Sequence, residues 1–281
     1  MDPRTRRTLR QHLHTDALLG VDAVPIAITG DPADPTPESP LERPKSPVQN
    51  APKRPQTESK QPNLLENEPA TLLKEQAVKP LKTDAKLRIL NDLSAKVAGC
   101  TDCGLAAGRT QTVFGEGNPD AEIMFIGEGP GQNEDEQGRP FVGRAGGLLD
   151  KQIAAMGLER SDVYIANVVK CRPPGNRNPA ADEVAACSKY LQEQILTIQP
   201  KVIITLGGPA AKLVLETSEG ITRLRGTWHE YRGVNPPVPV MPTFHPAYLL
   251  RAYTVENRKL VWSDLLAALE RVGRTPPTSK K

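Results

Sequence analysis

The sequence predicts an α/β fold in which helices cover both faces of a mainly parallel sheet. Four short apolar runs recur along the second part of the chain, and each leads into a turn or a helix. Segments with the apolar periodicity of helices lie between these runs. Strands that alternate with helices at such spacing usually pair in parallel, and the resulting sheet is buried on both sides.

The predicted elements follow one another from Asp84 onward. An amphipathic helix begins near Asp84 and is ended by Gly99. The predicted strands are residues 123–126, 163–169, 202–206 and 238–243. The helices between and after them are predicted at residues 145–156, 180–196, 209–215 and 260–269. Together these elements predict one domain over residues 83–273, followed by a short tail at residues 274–281.

The N-terminal part of the chain has a different composition. Twelve of the 28 prolines lie between Val21 and Pro80, among charged and polar residues. Such a segment buries too little apolar surface to offset the entropy of ordering, so we predict a disordered linker at residues 21–82. Leucines at helical spacing predict a short helix in residues 1–20. No motif identifies a protein partner for this region.

Charge and hydropathy exclude some classes of protein. The formal net charge is +3, which is too small to predict a nucleic-acid partner by itself. No apolar run approaches the length that spans a bilayer, and no signal-peptide core follows Met1. We therefore expect a cytoplasmic protein without a membrane partner. In that compartment the four cysteines favour a metal site or catalysis over disulfides.

The cysteines occur as two pairs. Cys100 and Cys103 form a C-x2-C pair at the end of the first predicted helix, whereas Cys171 and Cys187 have 15 residues between them. Four thiolates from two separate places suit a tetrahedral zinc site or a [4Fe–4S] cluster. Zinc ribbons usually repeat the C-x2-C spacing, so the long second spacing favours iron–sulphur without deciding between the two. Buried structural thiols are the alternative, and it is strongest for Cys187 on its apolar helix face.

Polar residues follow three of the predicted strands. A GEGPG turn at residues 127–131 ends the first strand, Asn167 ends the second, and His245 follows the last. Because the carboxyl ends of parallel strands meet at one edge of a sheet, these side chains can converge there. The turn is a poor phosphate loop, since Pro130 removes an amide and no Lys-Ser or Lys-Thr pair follows. The pattern therefore predicts a site at this edge but argues against a nucleotide.

Three motifs give the sequence a family resemblance. The runs GEGPGQNEDEQGRPFVGRAG, NVVKCRPPGNRNP and TFHPAYLLR occur in this order together with the four cysteines. In this combination the chain resembles the iron–sulphur uracil-DNA glycosylases of the family-4 type over residues 87–272. The resemblance implies a three-layer α/β/α sandwich with a central four-stranded, mainly parallel sheet. It also implies removal of uracil from single- or double-stranded DNA, which leaves an abasic site, and we expect a monomer.

The resemblance assigns site residues to positions in this sequence. The ligands of a [4Fe–4S] cluster would be Cys100, Cys103, Cys171 and Cys187. The uracil pocket would comprise Glu128, Gly129, Phe141, Asn167 and His245. In this pocket Phe141 would stack on the pyrimidine, and the Asn167 carboxamide would bind O4 and N3–H of uracil. His245 would donate a hydrogen bond to O2 of the departing uracil.

The sequence leaves open which residue positions the attacking water. In the best-known uracil glycosylases an aspartate of the first motif holds this water, and Gly129 occupies its place here. Glu134 and Asn176 are the candidates, with Asp135 a weaker one. A solvated acidic loop is the alternative for Glu134 and Asp135. No lysine of the motifs is placed to form a Schiff base, so the predicted enzyme is monofunctional.

A second set of residues is predicted to contact DNA. The segment after His245 would enter the minor groove with Tyr248, Leu249, Leu250 and Arg251. The alternative is that the two leucines pack the following helix, and for Leu249 it is equally plausible. The predicted phosphate contacts are Arg144, Lys170, Arg223 and Arg225. The alternative function is a protein of the same superfamily that captures uracil-DNA covalently through a histidine. That branch carries a basic insertion near the last motif, which residues 244–248 lack.

Overall fold

Strands and helices alternate through residues 81–277, the part of the chain that the computed structural model describes. The predicted helix in residues 1–20 and nearly all of the predicted linker lie outside the described residues. The strands are β1 (Glu116–Gly117), β2 (Ile123–Gly127), β3 (Tyr164–Asn167), β4 (Val202–Leu206), β5 (His229–Tyr231) and β6 (Val238–Thr243). The helices are α1 (Thr83–Ala98), α2 (Gln132–Gln137), α3 (Arg144–Ala155), α4 (Ala181–Ile198), α5 (Gly208–Leu215), α6 (Ile221–Leu224), α7 (Pro246–Arg251) and α8 (Val255–Arg271).

The sheet has six strands in the order β1-β3-β2-β4-β6-β5. Its four central strands are parallel and correspond to the four predicted apolar runs. The predicted number of four strands is wrong, because β1 and β5 add an antiparallel strand at each edge. These edge strands have two and three residues and no fully buried position, so they lack the apolar run that marks a central strand.

Helices cover both faces of the sheet, as predicted. Along β2, Met124 and Ile126 face the side covered by α1, α4 and α5. Their neighbours Ile123 and Phe125 face the opposite side, which is covered by α3 and α8. Burial of each large apolar side chain contributes about 1.5–3 kcal/mol, so packing on both faces fixes the central strands and the loops that follow them.

Helices α1 and α4 position three of the four cysteines. Val97 is buried in the last turn of α1, and the chain then turns at Gly99 into Cys100. The Glu183 carboxylate in the first turn of α4 accepts a hydrogen bond from the Ala180 N–H at 2.7 Å. This bond occupies one of the free amides at the helix start, and α4 then presents Cys187 on its buried face.

The chain continues in contact with the domain beyond α8. Arg274 forms an ion pair with Glu122 at 2.9 Å, although the tail was predicted to begin at residue 274. Within residues 81–277, no helix combines the length and apolar character needed to cross a membrane.

Candidate active site and cysteine cavity

A cleft of about 660 Å³ opens at the carboxyl ends of the parallel strands. The segments that end or follow β2, β3, β4 and β6 each contribute to its wall. Its volume is suited to a small organic ligand. The cleft brings together all five residues predicted for one pocket and two of the candidates for the water: Glu128, Gly129, Phe141, Asn167, His245, Glu134 and Asn176.

The start of α7 fixes the ring of His245 in one orientation. His245 caps this helix, and its Nδ1 accepts a hydrogen bond from the Ala247 N–H at 3.0 Å. Burial, together with the nearby positive charge of Arg251, lowers the pKa of His245 from 6.5 to about 4. The ring is therefore neutral at pH 7, and because Nδ1 accepts, Nε2 carries the proton. His245 has a single N–H donor to offer to a ligand.

Phe141 forms an aromatic wall of the cleft. Its ring stacks on the His245 ring, with centroids 5.7 Å apart and an angle of 29° between the planes. The Phe141 backbone has a φ of 51°, in the left-handed region that large side chains rarely adopt. Gly146 permits this conformation, because a Cβ at that position would lie 1.9 Å from the Phe141 carbonyl oxygen. Strain of this kind is often found where a side chain is held for binding.

The carboxamide of Asn167 is buried at the end of β3. Its side chain is 2% exposed, and Oδ1 has no hydrogen-bond partner. Gly127 leaves room for it, since a Cβ there would lie 2.4 Å from Oδ1 and 2.5 Å from Cζ of Phe141. A buried acceptor without a partner costs about 1–3 kcal/mol. A ligand that donates a hydrogen bond to this oxygen recovers that free energy.

The turn after β2 supplies a carboxylate but leaves no room for a second one. Oε1 of Glu128 is buried without a hydrogen-bond partner, and burial raises the pKa of this carboxyl. The carbonyl of Glu128 accepts from the Val169 N–H at 3.2 Å, which ties the turn to the segment after β3. A Cβ at Gly129 would lie 2.8 Å from Cγ2 of Val169. An aspartate at position 129 would therefore require Val169 to move.

The three candidates for the water have different surroundings. The Glu134 carboxylate accepts hydrogen bonds from three backbone amides. Those of Val142 and Gly143 lie at 2.9 Å and that of Gly131 at 3.1 Å. It thus connects the turn after β2 to the loop that carries the aromatic wall. Asn176 is exposed at the cleft, and its Oδ1 accepts from Nε of Arg172 at 2.8 Å.

Asp135 does not belong to the cleft. Its side chain is buried and accepts from the Thr110 N–H at 2.9 Å, on the side of α2 that faces the segment before β1. The prediction of Asp135 as a weaker candidate for positioning the water is therefore wrong. Neighbouring positions on this short helix point to different surroundings, which the sequence alone did not distinguish.

The residues predicted to contact DNA fall into two groups. Four of them are exposed, and the last two of these also line the cleft: Arg144, Arg223, Tyr248 and Arg251. Lys170 and Leu249 are only 1% and 2% exposed, so the predictions that they contact DNA are wrong. Arg225 is also a structural residue, because its guanidinium pairs with the buried Asp264 carboxylate at 2.5 Å. Leu250 is the leucine of α7 with an exposed side chain.

Lys170 has buried partners instead of a phosphate. Its ammonium donates to the carbonyl of Asn167 at 2.8 Å and to Oε1 of Gln194 at 2.6 Å. Gln194 in turn donates to the carbonyl of Phe114 at 2.9 Å. Burial lowers the pKa of Lys170 to about 8. Lys170 therefore connects the end of β3, where the Asn167 carboxamide lies, to α4.

The four cysteines line one small cavity, and none of them forms a disulfide. Cys100 and Cys103 reach the cavity from the end of α1, Cys171 from the segment after β3, and Cys187 from α4. Burial raises the pKa of both Cys171 and Cys187. Among the described residues, no three His, Cys, Asp or Glu side chains gather closely enough to hold a single metal ion.

Sequence reasoning missed several residues of the cleft. Pro173 and Arg177 line it from the loop after β3, and Gly207 lines it directly after β4. Gly207 has a φ of 91°, and a Cβ there would lie 2.9 Å from Cβ of His245. Its position after an apolar run is the signal that could have identified it. Nothing in the local sequence marks Ile221, which reaches the cleft from α6.

Comparison with known proteins identifies the family. The sequence model described as Uracil DNA glycosylase superfamily matches residues 114–266. The type-4 uracil-DNA glycosylase of Thermotoga maritima is 47% identical over 178 residues, which are 63% of this chain and 91% of that protein. The type-4 enzyme of Archaeoglobus fulgidus is 41% identical over 193 residues, 67% of this chain and 96% of that protein. A type-5 uracil-DNA glycosylase of Pyrobaculum aerophilum is 34% identical over 115 residues, 36% of this chain and 50% of that protein. The chain belongs to the uracil DNA glycosylase superfamily and, within it, to the type-4 family.

Proposed function

We propose that the protein is a monofunctional DNA repair glycosylase, which flips uracil out of DNA and hydrolyses its N-glycosidic bond to leave an abasic site. The observation that carries this proposal is the unpaired, buried Oδ1 of Asn167 at the floor of the cleft. Uracil offers an N3–H to this oxygen and a carbonyl, O4, to the amide group beside it. Cytosine has an unprotonated N3 and an amino group at these positions, so it would leave buried polar atoms unpaired.

The geometry supports a leaving-group role for His245. A base must leave the duplex before its glycosidic bond can be reached, and the Phe141 ring provides a face on which it stacks. When the bond between C1′ and N1 breaks, the electron pair moves to the uracil ring and negative charge develops on O2. The Nε2–H of neutral His245 donates a hydrogen bond to that oxygen.

The hydrogen bonds of the carboxylates support Glu128 as the residue that positions the water. Both oxygens of Glu134 already accept backbone amides, and the oxygen of Asn176 accepts from Arg172. Oε1 of Glu128 is free, and the raised pKa of this carboxyl suits a group that takes a proton from water. The water attacks C1′ and gives its proton to Glu128, while Glu134 holds the loop.

We assign a [4Fe–4S] cluster to the cavity between the cysteines. Each thiolate of such a cluster binds a different iron, and the four cysteines that line this cavity supply that set of ligands. The ligands would be Cys100, Cys103, Cys171 and Cys187. When bound, the cluster supplies a cross-link between the segment after α1, the segment after β3 and α4. Within residues 81–277, no side chain lines both the cleft and this cavity, so the cluster is assigned no step of base removal.

The DNA partner is bound on the face that carries the cleft. We assign phosphate contacts to the exposed Arg144, Arg223 and Arg251, and the minor groove to Tyr248 and Leu250. Phosphate binding of this kind is independent of sequence and weakens as salt rises. An enzyme with this substrate acts where the chromosome is, so we assign it to the cytoplasm. We also propose that it acts as a monomer.

The test uses the purified full chain and an oligonucleotide that carries one uracil, in single- and double-stranded form, followed by alkali. We expect an alkali-labile site at uracil and none at cytosine or thymine in the same context. Protein with a full complement of iron that releases no uracil would contradict the proposal. DNA that stays attached through denaturing electrophoresis would favour covalent capture instead. We expect none, because Nε2 of His245 carries a proton and has no lone pair for attack.

A further inference from the structure

Arg109 lies beside the cysteine cavity, outside all the motifs of the sequence. The residue follows a short 3-10 turn, Gly104–Ala107, and its side chain is half-buried. Nη1 of the guanidinium donates to the carbonyl of Cys100 at 2.7 Å and to Sγ of Cys171 at 3.3 Å. Nη2 donates to the carbonyl of Ala98 at 3.1 Å. One side chain therefore bonds both halves of the cysteine set.

These contacts match the chemistry of a guanidinium. The carbonyls of Ala98 and Cys100 lie at the carboxyl end of α1, where backbone groups lack helical partners and carry partial negative charge. A thiolate at Cys171 adds a full negative charge. A planar fork with several N–H donors can bond all three acceptors at once, whereas an ammonium is a point charge on a flexible stem.

Two other cations near the cavity have hydrogen-bond or ion-pair partners of their own. The ammonium of Lys170 is bonded to Asn167 and Gln194, and that of Lys189 pairs with Asp102 at 2.5 Å. The backbone N–H of Lys170 donates to Sγ of Cys187 at 3.3 Å. Two of the four sulfurs thus accept an N–H bond, and the bond from Arg109 also brings a positive charge.

We propose that Arg109 is a positioning residue for the iron–sulphur cluster. Its guanidinium holds the two cysteine pairs in the relative position that the cluster needs, and its N–H···S bond sets the reduction potential of the cluster. This inference rests on the cluster assigned under the proposed function. A ligand held by an outer hydrogen bond binds its metal more tightly, and such bonds are among the factors that tune cluster potentials. Positive charge beside the sulfurs stabilises the reduced, more negative form of the cluster.

The experiment compares Arg109→Gln and Arg109→Lys with the wild-type full chain. The first readout is the rate at which iron is released to a chelator, followed by the loss of visible absorbance. The second is the midpoint potential of the cluster in the purified protein. We expect Arg109→Gln to release iron about tenfold faster or more and to have a more negative potential. Arg109→Lys keeps the charge without the fork, so its potential should lie nearer that of the wild type.

The matched control is Arg88→Gln, which removes an exposed arginine from the first half of α1, away from the cysteine cavity. The control should match the wild type in both readouts. A cluster in Arg109→Gln with unchanged iron release and potential would overturn the inference. A lowered melting temperature with an unchanged potential would also overturn it, because that result describes a helix cap alone. If Arg109→Gln does not fold, Arg109→Lys carries the same two readouts.

Failure of this inference can be told from failure of the proposed function. The iron content of the wild-type protein tests the cluster, and its release of uracil tests the glycosylase. Both can succeed while Arg109→Gln behaves as the wild type, and in that case the role of Arg109 alone is refuted.

Discussion

The cleft and the cysteine cavity both border the segment that ends and follows β3, and they differ in how their polar atoms are paired. In the cleft, Oδ1 of Asn167 and Oε1 of Glu128 are buried without partners. Beside the cavity, the ammonium of Lys170 and the guanidinium of Arg109 each donate to two or more acceptors. Unpaired buried atoms destabilise the fold and are retained where a ligand pairs them, whereas saturated groups hold the chain.

One further oxygen qualifies this contrast. Oγ1 of Thr205 in β4 is also buried without a partner, yet Thr205 lines neither the cleft nor the cavity. Nothing in the structure explains it. The contrast therefore depends on position as well as pairing, since the unpaired atoms of the cleft lie together at the carboxyl end of the sheet.

The largest effect that separates the two regions is expected from His245→Ala. Loss of the Nε2–H removes the donor to the departing uracil and should slow uracil release by about 10²–10³-fold. The folded state should remain intact, because the ring's one hydrogen bond within residues 81–277 is accepted from the Ala247 amide at the start of α7. The measurement is single-turnover uracil release together with urea unfolding.

His229→Ala is the matched control for this variant. His229 lies in the edge strand β5 and contacts the Leu224 carbonyl and Thr227, away from the cleft. Its rate of uracil release should equal that of the wild type. A His245→Ala variant that released uracil at an undiminished rate would refute the role given to the imidazole.

A smaller effect is expected from Lys170→Met beside the cavity, and it should lower the stability of the fold and leave the selectivity for uracil unchanged. The variant keeps the apolar stem but leaves the carbonyl of Asn167 and Oε1 of Gln194 without the donor they share. We expect the free energy of unfolding to fall by about 2–3 kcal/mol. The preference for uracil over cytosine should persist, because the carboxamide itself is unchanged.

Lys151→Met on the exposed face of α3 is the control, and it should leave the stability unchanged. Urea unfolding and the ratio of uracil to cytosine release measure the two properties separately. Lost selectivity with unchanged stability would mean that Lys170 belongs to the cleft after all, and the contrast between the regions would not hold.

The burial of each strand explains how far the fold could be predicted from the sequence. The four central strands are continuous apolar runs because both of their faces are buried, and a run of that kind is visible in a single sequence. The edge strand β5 reads His-Glu-Tyr and pairs on one side only, so its apolar content is too low to mark it. Its pairing with β6 is decided by the tertiary fold.

Site residues could be predicted from the sequence where their position at the end of a strand decides which edge of the sheet they reach. Asn167 and His245 each end a strand or follow one, so parallel pairing brings them to the same edge. Lys170 and Leu249 were predicted wrongly because a basic or apolar residue near such an edge can point into the protein or out of it. That choice depends on neighbours distant in the sequence, such as Gln194, with which Lys170 pairs across 24 positions.

The smallest expected effect concerns the charge state of the cleft. The pKa of His245 is about 4 in the folded protein against 6.5 ordinarily, so between these values the unfolded chain binds a proton that the folded protein does not. Stability therefore rises with pH across this window and is lost as the pH falls from about 6.5 to about 4. Below pH 4 both states carry the proton, and the loss is complete. The expected loss is on the order of 1–2 kcal/mol, since the ring is partly exposed and solvent reduces the full effect.

Urea unfolding of the wild type, His245→Ala and His229→Ala between pH 7 and pH 4 measures this loss of stability. His245→Ala should show a shallower slope than the other two proteins, because only the contribution of this imidazole is removed. Equal slopes in all three proteins would show that the imidazole is not held neutral by the cleft.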